Sequence, residues 1–178
     1  MTYRTVLGAA FDALHPHVQE AHTAPLHATG TMDVVHGAHR FTRVLAAVFR
    51  LPAAGRAQAV TLDVTEEAPT TSRFEMRWNR VIGNWTLRSR QTADRGLLIE
   101  QHWPARIAFA LREDGGSLVY EQRSIRVMRV PLWSGAAPQV RAEASPAAIG
   151  WHVVVEVSWR GHLICRYAGE MARAGANA

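Results

Sequence analysis

Lysine is missing from this chain and cysteine nearly so. All 20 basic side chains among the 178 residues are arginine, for a formal charge of +5. Arginine suits carboxylates and phosphates, so the inventory could signal an anionic partner. With alanine and glycine also abundant, it reads more simply as coding bias. The single cysteine, Cys165, excludes an intramolecular disulfide and any multi-cysteine zinc or iron–sulfur site, and it fits a reducing compartment. No apolar run approaches the roughly 18 residues of a spanning helix. The opening MTYRTVLGAAFDALH lacks the basic start and long apolar core of a secretory signal, so a cytoplasmic location is the expectation. Also missing are a Gly-x-Gly-x-x-Gly dinucleotide turn, a Gly-Lys-Ser/Thr phosphate loop and a Gly-x-Ser-x-Gly elbow. No cofactor is therefore expected.

What is present centres on residues 73–91, RFEMRWNRVIGNWTLRSRQ. Phe74, Met76 and Trp78 alternate with Arg73, Glu75, Arg77 and Asn79. Beyond a tight turn at Ile82-Gly83-Asn84, Trp85 and Leu87 alternate with Thr86, Arg88 and Arg90. A period of two gives each set its own face, so the stretch predicts an antiparallel hairpin with one dry and one charged side. Gly83-Asn84 tolerates the positive φ that a two- or three-residue hairpin loop needs.

Residues 2–20 begin as an amphipathic helix with Leu7, Phe11, Leu14 and Val18 on one face, which Pro16 ends or kinks near Leu14. The following connection carries His15, His17, His22 and His27. No acidic or cysteine ligand stands at useful spacing, so it reads as a solvated loop and no metal is expected. Residues 28–36 read as a strand. Residues 39–51 read as a helix whose Phe41, Val44, Leu45 and Val48 pack on the sheet while Arg40, Arg43 and Arg50 face water.

From 58 to 171 the period is two. Val60, Leu62 and Val64 precede the hairpin; Leu97, Ile99 and Trp103 then oppose Glu100 and His102, and a bend at Pro104 leads to Ile107, Phe109 and Leu111. The apolar phase slips between Tyr120 and Ile125, as a bulge would produce. Trp133 reads as a loop anchor and residues 140–144 as an edge strand. Trp151, Val153, Val155, Val157 and Trp159 make the clearest strand, followed by Leu163, Cys165, Tyr167 and Met171; residues 172–178 form a tail. Short turns cannot make parallel crossovers. The expected fold class is therefore α+β, mainly β: a single domain over 1–178, holding a strongly curved antiparallel sheet or barrel of about eight to nine strands with two N-terminal helices. A helix-grip lipid-binding fold is the rival, but it wants a long C-terminal helix where this chain has a strand.

The segments FTRVLAAVFRLPAAGR, RWNRVIGNWTLRSRQ, GLLIEQHWPARIAFAL and ICRYAGEM, in that order, resemble the bacterial family called domain of unknown function 4166. The similarity lies in a Leu-Pro-x-x-Gly loop after an apolar helix, a Trp-x-Arg strand, a Gly-Leu-Leu strand carrying Glu100, and a Tyr-x-Gly strand at Tyr167 and Gly169. Val81 stands where members tend to have phenylalanine. The family's domain is sometimes joined to a reductase-like or epimerase-like domain, so the resemblance implies an accessory or substrate-binding role and a reductase-like partner. It implies no fold and no activity.

Read from the residues, the first expectation is a non-catalytic module that holds an apolar or amphipathic small molecule inside the sheet. Met76, Trp78, Trp85, Trp151 and Tyr167 would line it, and Arg80 or Arg123 would receive a carboxylate or phosphate at the mouth. Glu100 and His102, two apart on one strand, are the candidate acid–base pair of the enzyme alternative. If the Leu97/Ile99/Trp103 face is the core, both face solvent. Cys165 sits on an apolar face as a small hydrophobe. Nucleic acid is disfavoured, because alternation separates the hairpin's tryptophans from most of its arginines.

Overall fold

The computed structural model describes residues 2–49, 51–67, 75–132 and 137–175. Its alternating segments form eleven strands: β1 (Leu26–His36), β2 (Gly55–Glu67), β3 (Glu75–Ile82), β4 (Trp85–Asp94), β5 (Leu97–His102), β6 (Ala105–Asp114), β7 (Ser117–Val127), β8 (Val130–Leu132), β9 (Gln139–Pro146), β10 (Trp151–Trp159) and β11 (His162–Arg173). Strands β1 to β7 pair in chain order, β7 continues to β9, β10 and β11, and β11 returns to β1, every pair antiparallel. Ten strands close into a barrel; β8 shares with β9 the edge of β7 that faces away from β6. Closure leaves the ten no free edge, which is how an all-antiparallel sheet of this width avoids exposing its ladder. The expected count of eight to nine strands is thus too low. Residues 140–144 belong to β9, which is paired on both sides rather than lying at an edge.

The hairpins follow from local chemistry. Arg95-Gly96, Gly115-Gly116, Met128-Arg129 and Arg160-Gly161 all have positive φ at both central positions, the geometry that matches strand twist in two-residue turns. Gly83, at φ +55°, opens the two-residue turn between Ile82 and Trp85. The phase slip in β7 is a bulge at Arg123, where Ala108 pairs with Ser124 but Phe109 with Gln122. Phe74 and Trp133 lie outside the described residues.

The N-terminal segment plugs one end of the barrel. Helix α1 (Thr2–Leu7) stops at Gly8 (φ +57°), a 3₁₀ turn covers Gly8–Ala13, and α2 (Pro16–Ala21) starts with its proline in the first turn, where a missing N–H costs nothing. Phe11, Leu14 and Val18 are buried in the core as their spacing predicts, joined by Tyr3 and Ala21. The His15 N–H donates to the Gly116 carbonyl at 2.9 Å, and Arg173 pairs with Glu20, so the plug is tied to the strand ends around it.

Helix α3 (Arg40–Val48) lies at the opposite end, against β11 and β1. Here the expected packing holds only for Leu45, which packs against the core. Thr42 and Ala46 are buried, whereas Phe41, Val44 and Val48 are exposed. Small side chains let the helix approach the strands closely, and Thr42 Oγ1 donates to the His39 carbonyl at 2.6 Å, so Phe41, Val44 and Val48 are left on the outside.

Candidate functional site

Within the barrel lies a cavity of about 160 Å³. Its walls are mostly apolar, with Leu62, Ile107, Phe109, Val155 and Trp151 among them, and Phe49 and Leu51 reach it from the α3 end. One sector is polar, and strand register explains why. The inward phase of β3 runs through Met76, Trp78, Arg80 and Ile82, that of β4 through Ser89 and Gln91, and that of β5 through Leu98, Glu100 and His102. Trp78 pairs with Ser89, and Gln91 with Glu100, so these polar side chains converge from three adjacent strands. Glu100 and His102 therefore face the interior. The condition under which both would face solvent, a core face of Leu97, Ile99 and Trp103, is not met: Ile99 is buried, but Trp103 is 69% exposed, and Leu98 is the buried residue in phase with Glu100.

Arg80 Nη1 donates to Glu100 Oε1 at 3.1 Å and to Ser89 Oγ at 2.9 Å, and Ser89 Oγ donates to the same carboxylate oxygen at 2.6 Å. The guanidinium also lies over the Trp78 ring, 4.7 Å from its centroid. Burial by itself would raise the Glu100 carboxyl, but the charge of Arg80, aided by the hydrogen bonds from Ser89 and Arg80, outweighs it and holds Glu100 below its ordinary value. Burial would likewise lower Arg80, and Glu100 more than reverses this. The pair is ionised and internally neutral. His102 is shifted down by burial, which its neighbour Glu100 only partly opposes, and so it favours the uncharged imidazole. His102 Nδ1 and Trp78 Nε1 are buried without a hydrogen-bond partner among the described residues.

A second set of polar groups joins the plug to the wall. His22 Nδ1 lies 2.7 Å from the Val18 carbonyl, which can only accept, so the ring proton sits there and Nε2 receives the Tyr120 hydroxyl at 2.8 Å. Tyr3 donates to Gln91 Oε1 at 2.7 Å, and its oxygen stands 3.0 Å from that of Tyr120. Burial drives His22 down to about 4 and raises both phenols, so all three groups are neutral near pH 7. The solvated reading of the histidine connection fails at His22, which is 6% exposed, while His27 does sit outside, 2.5 Å from Asp63.

Of the residues expected at the site, Trp78, Arg80, Trp85, Trp151 and Tyr167 line the cavity. Met76 faces inward and is buried, but it does not line the cavity. Arg123 is on the outer surface, where the bulge turns it toward Glu121 at 3.0 Å, so it takes no part. Burial raises the Tyr167 phenol, and it pushes the Cys165 thiol up to about 12, which fits an inert hydrophobe. Tyr3, His22, Ser89, Gln91 and Tyr120 were not anticipated. Ser89 and Gln91 had a sequence signal, since they continue the inward phase set by Trp85 and Leu87.

A family model described as Domain of unknown function (DUF4166) matches residues 14–171, nearly the whole chain, and the chain belongs to that family. Comparison with curated proteins and with solved structures finds no match.

Proposed function

We propose that the barrel is a binding module for a small, mostly apolar and uncharged molecule, seated in the interior with one polar group against Arg80, Glu100 and His102. The observation that carries this is a mainly apolar cavity in which Arg80 and Glu100, the two charged wall groups that are not exposed among the described residues, neutralise each other, while Glu143 in the same lining is exposed. A ligand carboxylate or ammonium there would be an unbalanced charge in a poorly hydrated space, which is costly; a hydroxyl or carbonyl would not be. This replaces the earlier expectation of a carboxylate or phosphate head. Size follows from volume: about 160 Å³ is close to the engineered cavity of about 150 Å³ that admits benzene.

Benzyl alcohol, benzoate and benzylamine differ mainly in that one group. Followed by the indole resonances of Trp78 and Trp85, benzyl alcohol is expected to bind at least about tenfold more tightly than either ion. Equal affinity for benzoate would overturn the neutral-ligand reading, and no shift with any of the three would overturn the binding module. A second reading, acid–base catalysis, is favoured by the neutral His102 beside an ionised carboxylate. In it His102 is the base, because Arg80 makes Glu100 a weak one. A His102→Gln variant that binds benzyl alcohol as the native protein does would leave that reading without support from binding.

A further inference from the structure

We propose that the α3 end of the barrel docks on an anionic lipid bilayer. Among the described residues, seven of the eight most exposed large apolar side chains are at this end: Val35 near the end of β1, Phe41, Val44 and Val48 on α3, Trp103 in the β5–β6 turn, and Met128 and Val130 beside the β7–β8 turn. Positions 41, 44 and 48 share one helical face, with Val44 57% exposed. The turns bearing Trp103 and Met128 are neighbours, since the Met128 N–H donates to the Pro104 carbonyl at 2.9 Å.

Acidic charge is sorted along the barrel axis. Segments 36–49, 51–56, 82–86, 102–106, 126–130 and 159–163, which form the α3 end, contain no Asp or Glu. They carry exposed Arg40, Arg43, Arg56, Arg106, Arg126 and Arg129, none paired with a carboxylate among the described residues. Glu20, Glu67, Asp94, Glu113 and Asp114 are all at the plugged end. A protein partner would need carboxylates set all around the opening, whereas phosphate headgroups offer negative charge in every direction across a plane. Separate apolar side chains can enter the acyl boundary while the guanidinium groups stay at the headgroups, and tryptophan favours that level.

Contact is confined to this end. Arg141, Glu156 and Arg166 face outward along the wall, where hydrocarbon would penalise them, and no helix among the described residues is long and apolar enough to cross a membrane. Phe49 and Leu51, just past α3, line the cavity, so docking sets its α3-side wall against the bilayer.

Flotation with vesicles tests this. The protein is expected to bind phosphatidylcholine vesicles containing ~30 mol% phosphatidylglycerol, to bind pure phosphatidylcholine at least about tenfold less, and to detach at ~0.5 M salt. V44E/V48E and R40E/R43E, all at exposed positions, should each lower binding at least about tenfold, while R95E at the plugged end leaves it unchanged. Circular dichroism of each variant separates unfolding from lost docking. No binding to anionic vesicles overturns the proposal, as does equal loss in R95E, which would mark net charge as the cause. So does self-association abolished by V44E/V48E without vesicle binding, which would mark the face as a contact between copies.

Discussion

Replacing Glu100 with glutamine is the sharpest perturbation of the interior. The side chain keeps its shape, but Arg80 loses the carboxylate at 3.1 Å and Ser89 loses the one at 2.6 Å. Arg80 cannot shed its proton. Breaking a buried pair on one side costs about 3–5 kcal/mol, and we expect about 3 because the Arg80 and Glu100 side chains remain 20% and 14% exposed and keep some hydration. With a urea slope of about 2 kcal/mol/M, the midpoint falls by about 1.5 M. Removing both charges, in R80M/E100Q, should recover most of this and leave the double variant within about 1 kcal/mol of the native protein. The pair's contribution also has a pH signature. Glu100 is depressed in the folded protein, so its stabilisation is complete above the ordinary 4.5 and is lost as pH falls below it. If E100Q unfolds within about 0.5 kcal/mol of the native protein, or if the double variant is no better than E100Q, the buried-pair argument is wrong.

Three further outcomes follow. Trp78, 7% exposed, should cost about 3–5 kcal/mol when truncated to alanine, against under about 1 for Arg77→Ala, whose ion pairs are at the surface; equal urea midpoints would mean the hairpin faces are misassigned. His22, lowered from 6.5 to about 4, binds its proton more weakly folded than unfolded, so stability is full above pH 6.5 and declines by about 3 kcal/mol as pH falls to about 4. His22→Gln should flatten that decline, and parallel losses for both proteins across the window would refute it. A methyl group on Gly169 would lie 1.9 Å from the Thr31 carbonyl oxygen and 2.7 Å from Met32 Cα, both backbone atoms of β1, so Gly169→Ala should destabilise by about 1–3 kcal/mol in thermal unfolding, and a silent substitution would show that β1 and β11 are not so closely apposed.

Much of the barrel was legible because most strands are apolar on one face only. The hairpin at Gly83, the bulge near Arg123, and the inward faces of β2 and β10 all follow from period two. Alternation fails where both faces are apolar or where the interior is not. In α3 it misassigns the buried side, because Thr42 and Ala46 are chosen by close approach rather than by hydrophobicity. In β5, Leu97, Leu98 and Ile99 run together, so the apolar residues leave the phase ambiguous and the charges of Glu100 and His102 tip the reading toward solvent.

Neighbouring strands held the information that decides the β5 phase. On β3 the residue in phase with Trp78 and Ile82 is Arg80, and on β4 the phase of Trp85 and Leu87 continues into Ser89 and Gln91. An arginine whose strand neighbours above and below are both core residues must itself point inward, and a buried guanidinium is not tolerated without an anion. Among the strands adjoining this hairpin, β2 has only apolar residues in its inward phase beside Arg80, at Val60, Leu62 and Val64, and Glu66 further along pairs with Met76, four residues from Arg80, and is exposed. The carboxylate therefore has to come from β5, where Glu100 is the only acid. Requiring the partner of one misplaced charge fixes the phase of β5, turns His102 into the barrel with Glu100, and locates the polar sector of the cavity.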